Sequence, residues 1–333
     1  MQIDFLSVFI TVASLIVLAL PGFLLAKAKM LPEKATEACS TLVLYGCQPA
    51  LVFMSFQKAE FSAQLGINML IVAGLAFVIH FVMIGIVMLA IPNKNKDARL
   101  NCVRYACVFS NCGYIGLPFL QTLFAGGTAL GEILVYAAVV ISVFNILCWT
   151  VGTYMITGDV KNMSLKKIII NPTIIGIVLG FIVFMIFKKP IVQLAVEGTT
   201  AYMILVKFTN SLNFLGDMVT PLAMIVIGIR LANVNFKQLL MDKWAYLVSA
   251  LKLVLMSLVT MLIVSFLPVN SAIKYTMFFL LSMPCATNTA LFAVKFGSDG
   301  DSASVYVLLT TVLSILTIPL LYLVMSGVFG VVI

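Results

Sequence analysis

Charge is what this sequence holds least of: only 10% of its 333 residues are Asp, Glu, Lys or Arg. Soluble globular chains carry roughly 25%, so too little polar surface remains to cover a water-soluble body. No stretch is polar enough to form a separate soluble domain. Histidine occurs once, which removes most metal sites. The seven cysteines are odd in number, form no C-x-x-C and lie mostly inside apolar runs. They read as small membrane-buried residues rather than disulfides or metal ligands. Neither H-E-x-x-H nor a pair of aspartates falls deep in an apolar run, so an intramembrane enzyme is not expected, and no cofactor is implied. The start, M-Q-I-D-F, has no positive n-region, so the first apolar run is expected to be a retained span and not a signal peptide.

What is present is apolar length. Hydrophobic residues make up 62% of the chain, and the mean hydropathy is +1.17. A spanning helix needs about 20 mostly apolar residues. Ten stretches qualify, at roughly 5–26, 36–56, 66–91, 101–124, 132–157, 169–187, 208–230, 244–267, 273–296 and 303–328. The expected fold is an all-α polytopic membrane protein. The longest loop, 188–207, has room for an interfacial amphipathic helix.

The net charge of +8 is a signal of topology, not of nucleic acid. Alternate loops share a side. One side holds fourteen cations: Lys27, Lys29, Lys34, Lys94, Lys96, Arg99, Arg104, Lys161, Lys166, Lys167, Arg230, Lys237, Lys243 and Lys295. The other holds five: Lys58, Lys188, Lys189, Lys207 and Lys274. The rich side is expected to be cytoplasmic, which puts both termini outside the cell membrane.

Ten spans divide into two sets of five, residues 1–157 and 169–333, and an odd number per half forces opposite orientations. Faint echoes recur at a near-constant offset. Val135-Tyr136 matches Val305-Tyr306, Pro49 matches Pro221, and His80 falls opposite Lys252. The fourth span is interrupted by S-N-C-G-Y-I-G-L-P (Ser110 to Pro118), the ninth by M-P-C-A-T-N-T (Met283 to Thr289). Proline removes a donor and clashes with the preceding turn; Gly113 and Gly116 loosen the helix further. Each break creates a half-helix, expected to begin near Pro118 and near Pro284, with free N–H groups and a positive dipole end. Two such ends meeting at mid-membrane make an anion site, to which Asn111, Thr287, Asn288 and Thr289 add neutral donors. A small organic anion such as a carboxylate is the implied cargo.

With these motifs the chain resembles the auxin efflux carrier family, which includes the plant PIN-formed carriers and bacterial malate permease-like proteins. N-P-T-I-I-G-I-V-L-G (Asn171 to Gly180) and T-P-L-A-M-I-V-I-G (Thr220 to Gly228) complete the set. The resemblance implies two inverted five-helix repeats with crossed, broken helices 4 and 9, similar in plan to the bile-acid sodium symporters. It implies a scaffold domain (spans 1, 2, 6 and 7), a transport domain (spans 3–5 and 8–10), and a carboxylate cargo, auxin-like or malate-like. It also admits a homodimer through the scaffold. Spans five and six are joined by only about a dozen residues. Control through the long loop of the plant carriers is therefore not expected.

The substrate contacts expected at the crossover are Asn111, Gly113, Tyr114, Gly116, Pro118, Pro284, Thr287, Asn288 and Thr289. Asn111 and Asn288 act as direct ligands, while the glycines and prolines shape the backbone. Three ionisable groups inside spans need a reason for their depth. Lys252 and Asp217 either pair, or Lys252 attracts the anion, or each reaches water on its own. His80 is either a packing residue or a proton-coupling group. Asn145 bonds either the crossover or a neighbouring helix. G-I-V-L-G (Gly176 to Gly180) reads as a close helix contact. Neither broken motif holds an acidic residue; coupling to sodium or protons, or passive facilitation as a uniporter or channel, stays open.

Overall fold

The structure, a computed structural model, describes residues 4–32, 34–93, 97–233 and 241–329. Lys94, Lys96 and Lys237 of the charge comparison lie outside them. Among the described residues the chain is helical throughout, apart from links and one two-residue bridge. The helices are α1 (Phe5–Val17), α2 (Leu20–Lys27), α3 (Ala35–Leu42), α4 (Gln48–Phe56), α5 (Ala63–Ala90), α6 (Ala98–Val108), α7 (Leu117–Leu123), α8 (Leu130–Leu147) and α9 (Thr153–Thr157). They continue with α10 (Leu165–Ile169), α11 (Pro172–Phe187), α12 (Thr200–Asp217), α13 (Val219–Asn233), α14 (Lys243–Ser249), α15 (Met256–Ser265), α16 (Ser271–Ser282), α17 (Asn288–Lys295) and α18 (Gly300–Phe329).

Eight helical stretches of the described residues are long and apolar enough to cross a membrane. They are Phe5–Lys27, Ala35–Phe56, Ala63–Ala90, Leu130–Thr157, Pro172–Leu194, Thr200–Asn233, Lys243–Ser265 and Gly300–Gly327. The chain is thus a multi-pass membrane protein. The two expected spans that do not qualify are the two with interruptions: α6 with α7, and α16 with α17.

Helix starts follow local chemistry. Asp4, Ser62, Asp97, Asn171, Thr199, Asp242 and Asn270 each accept a backbone N–H of the first turn, satisfying donors the helix leaves free. The Thr199 cap shifts one expected boundary. The seventh stretch begins at Thr200 rather than near 208, and 188–207 holds only a 3-10 turn at Ile191–Leu194 before it. Lys207, Asn210, Asn213 and Asp217 had lowered the apparent hydropathy there.

Two of the prolines within helices are accommodated by a widened turn ahead of each. Val43–Cys47 precedes Pro49 and Cys112–Gly116 precedes Pro118, both as π-helical turns. A π turn bonds one residue further back than an α turn. The proline ring therefore meets a looser coil.

Two close pairs organise the packing. α2 lies against α13, and α4 lies against α11 and α12. A Cβ on Gly22 would strike the Ile225 carbonyl, and one on Gly228 the Ala19 carbonyl. At Gly176 a Cβ would come within 2.5 Å of the Pro49 carbonyl oxygen, so G-I-V-L-G is a close contact as its spacing suggests. Among the other helices α5 packs on α8, α6 on α9, α15 on α16, and α1, α14 and α17 on α18, while α8 also touches α4. Apolar side chains such as Leu70, Leu89, Ile186 and Phe214 point outward, as a lipid-facing surface requires.

Candidate functional site

Two extended links cross at the centre of the molecule. α6 ends at Val108, and Phe109 turns extended. α16 ends at Ser282, and Met283 is extended too, the conformation a residue before proline prefers. The links run antiparallel. The Asn111 N–H donates to the Pro284 carbonyl at 2.8 Å, and the Ala286 N–H to the Phe109 carbonyl at 2.9 Å, pairing Ser110 with Cys285. Backbone groups that the breaks would strand away from water are thereby satisfied.

The half-helices start elsewhere than expected. The first begins at Cys112, not near Pro118. Asn111 is its N-cap, and the Asn111 carbonyl accepts from Ile115 and Gly116 at 3.3 and 3.0 Å. Pro118 lies inside, accommodated by the π turn. The second begins at Asn288, with Thr287 as N-cap, so Pro284 belongs to the extended link. Proline lacks a donor, and that link needs only its carbonyl.

A cavity of about 390 Å³ lies against this crossing. Asn111, Gly113 and Tyr114 line it from the first half-helix, and Thr287 and Asn288 from the second. Tyr45, Gln48, Asn145 and Asn171 complete the polar wall, with Lys166 and Lys167 toward the lysine-rich side. No acidic residue lines it. Asn111 Nδ2 donates to Thr287 Oγ1 at 3.0 Å, tying the two motifs together. Asn145 bonds a neighbouring helix start and not the crossover: Asn171 Nδ2 donates to its Oδ1 at 3.1 Å. The Lys167 ammonium rests over the Trp149 and Phe296 rings, 5.5 and 5.3 Å from their centroids.

Four of the nine expected contact residues stand behind the cavity wall. A Cβ on Gly116 would lie 2.7 Å from Leu280 Cδ2, so this glycine sets how closely the broken helices approach. Pro118 and Pro284 are buried in the backbone path. Thr289 is fully buried, and its hydroxyl has no hydrogen-bond partner.

Lys252 and Asp217 are not a pair. The Lys252 side chain is 0% exposed and donates to Ser110 Oγ at 2.6 Å and to the Leu281 carbonyl at 2.8 Å. It therefore braces the crossing from behind. Asp217 is exposed at the end of α12. Its charge is felt at Lys58, in the link after α4, where burial pushes the ammonium pKa down and the Asp217 carboxylate opposes that shift. The His80 ring packs on Phe109, its Nδ1 is 2.7 Å from the Ala76 carbonyl, and its Nε2 is buried without a partner.

Gln48 was missed in the sequence, although a lone amide beside a mid-span proline is a readable signal. A Cβ on Gly113 would collide with its side-chain amide, so the bare glycine backbone faces the Gln48 head. Tyr45 was missed as well, and Asn171 had been read only as the opening of a motif. Taken together, the walls offer first-turn N–H groups, two positive dipole ends and neutral amides. The volume falls in the range of small-molecule sites.

A family model described as "Membrane transport protein" matches residues 7–163 and 156–322. The chain belongs to this family. It is the auxin efflux carrier-like group that the motifs indicate. A protein of Methanothermobacter thermautotrophicus named "Uncharacterized transporter" is 25% identical over 313 residues, covering 93% of this chain and 96% of its own length. The "Putative malonate transporter" of Rhizobium meliloti is 26% identical over 319 residues, 92% of each chain. The family and these relatives are transporters rather than enzymes.

Proposed function

We propose that this chain is a secondary transporter of small organic anions that binds its substrate at the crossing of the two interrupted helices. The observation that carries the reading is the cavity itself. Two half-helix N-termini and five neutral side-chain amides border it, with several hydroxyls beside them, and no carboxylate does. An anion there meets donors and positive dipole ends, whereas a cation meets no counter-charge. A relative named for malonate agrees with a carboxylate cargo.

In the same reading the chain has ten spans in two inverted halves, with α6–α7 and α16–α17 as the fourth and ninth. The packing supports this. First-span α2 against seventh-span α13 has its counterpart in sixth-span α11 against second-span α4. Spans 1, 2, 6 and 7 form the scaffold, and spans 3–5 and 8–10 form the domain that moves in an elevator-type alternation. The cavity reaches Lys166 and Lys167 on the cation-rich side, so this conformation is open to the cytoplasm, with both termini outside the cell membrane. A homodimer through the scaffold would cover the outward apolar face of α11 and α12, which includes Ile182, Ile186 and Phe214.

The test is uptake in proteoliposomes with Asn111→Ala and Asn288→Ala. Both are expected to lower substrate affinity about 10-fold or more, the worth of a hydrogen bond to a charged group. Unchanged affinity and rate in both variants would sink the site assignment.

A further inference from the structure

Arg230 looks like an ordinary topological cation in the sequence, at the end of a span on the lysine-rich side. In the structure it occupies the last turn of α13, where a positive charge also suits the helix dipole. Such a residue normally extends its head into water. Arg230 does so only in part: the residue is half-buried, and its Nη1 is buried with no hydrogen-bond partner. No acidic side chain among the described residues pairs with it.

The guanidinium borders a small cavity of about 20 Å³ with Tyr114, Thr287, Asn288, Leu44 and Leu291. All five of those neighbours also line the large cavity at the crossing. The two spaces therefore lie side by side and share a border of Tyr114 and the first turn of α17. The smaller holds about one water, so what reaches Arg230 is one end of a molecule seated in the larger cavity.

We infer that Arg230 is a substrate ligand, the residue that holds the second carboxylate of a short dicarboxylate. One carboxylate lies against the half-helix N-termini at the crossing, and the other accepts from Arg230. This rests on the reading of the crossing as an organic-anion site. The half-helix ends suffice for one negative charge. A spatially separate cation with no counter-ion among the described residues calls for a second negative charge. A monocarboxylate leaves the buried Nη1 without an acceptor, which disfavours it. A planar guanidinium also matches a carboxylate in a way an ammonium does not. Arg230 stands on the proposed scaffold and the crossing on the proposed moving domain. This contact therefore forms in one end state and breaks in the other.

The experiment compares malonate with propionate, which share a three-carbon skeleton and differ by one carboxylate. Affinities are measured on the purified full-length wild type, Arg230→Gln and Arg230→Lys by competition uptake in proteoliposomes. The wild type is expected to prefer malonate by about 10-fold or more. In Arg230→Gln, malonate affinity falls about 10- to 100-fold, to near that of propionate, and propionate affinity barely changes. Arg230→Lys lies between. The buried Nη1 has no partner to lose, so Arg230→Gln is expected to keep the wild-type gel-filtration profile, and the charge-retaining lysine variant guards against a folding artefact. A wild-type preference for malonate that survives in Arg230→Gln overturns the role of Arg230. Equal wild-type affinity for both acids overturns the dicarboxylate inference while leaving the anion site standing. Absence of any binding by the wild type overturns the anion site as well.

Discussion

Replacing Ser110 with alanine should damage the protein more than replacing the buried lysine beside it. Ser110 Oγ accepts from Lys252 Nζ at 2.6 Å and donates to the Leu281 carbonyl at 3.0 Å, and both residues are 0% exposed. Ser110→Ala removes one of the two bonds that hold a fully buried ammonium, worth about 1.5–3 kcal/mol, and a neutral bond worth about 0.5–1.5 kcal/mol. The expected cost is about 2–4 kcal/mol. Lys252→Met also removes two bonds from a charged donor, but it abolishes the cost of keeping that charge dry, which is several kcal/mol. Its net effect should stay within about 2 kcal/mol. In the Lys252→Met background, Ser110→Ala loses only the bond to Leu281, about 1 kcal/mol. The pair should therefore be non-additive by about 1.5–3 kcal/mol, with the double variant more stable than the sum of the singles. Detergent-titration unfolding of the four proteins measures the cycle. Additive effects, or Lys252→Met as the most damaging change, would refute the reasoning.

Two further expectations concern packing and capping. Gly228→Ala places a methyl against the Ala19 carbonyl and should cost about 3 kcal/mol; thermal unfolding beside Gly74→Ala, where nothing lies within 4 Å, checks it. Asp242 caps α14 through the Trp244 N–H at 3.0 Å and also pairs with Arg99 at 2.6 Å. Asp242→Asn should keep the cap and lose about 1 kcal/mol or less, because Arg99 is 40% exposed. Asp242→Ala should lose about 1 kcal/mol more. High salt should shrink the first loss and spare the second, as read by thermal stability in low and high salt.

Much of this molecule could be read before any coordinates, for a simple physical reason. Apolar length and cation asymmetry are properties of the chain and need no packing. The two interruptions were equally plain, because proline and glycine act on their own backbone. What stayed hidden depends on direction. The start of a half-helix relative to Pro118 depends on a π turn, which has no composition of its own. Whether Lys252 meets Asp217 or Ser110 depends on which faces of which helices turn inward. Arg230 is the clearest case. Its position at the end of a span and its sign both suit topology, and only the rotation of α13 about its axis turns its head toward Tyr114 and the crossing. Gln48 is the opposite, an amide whose signal was present in the apolar run of α4 and went unused.

The two-residue bridge between Ser110 and Cys285 has a mechanical consequence. A hinge at that crossing would break two main-chain bonds at once and strand two donors and two acceptors in a largely buried setting. The crossing therefore behaves as a weld and not as a gate. A force on α6 is transmitted to α17 through the main chain, and the cavity cannot open by drawing the broken helices apart. In the proposed transporter, access would change at the seams between whole packed units, where side chains slide past one another and no main-chain bond has to break.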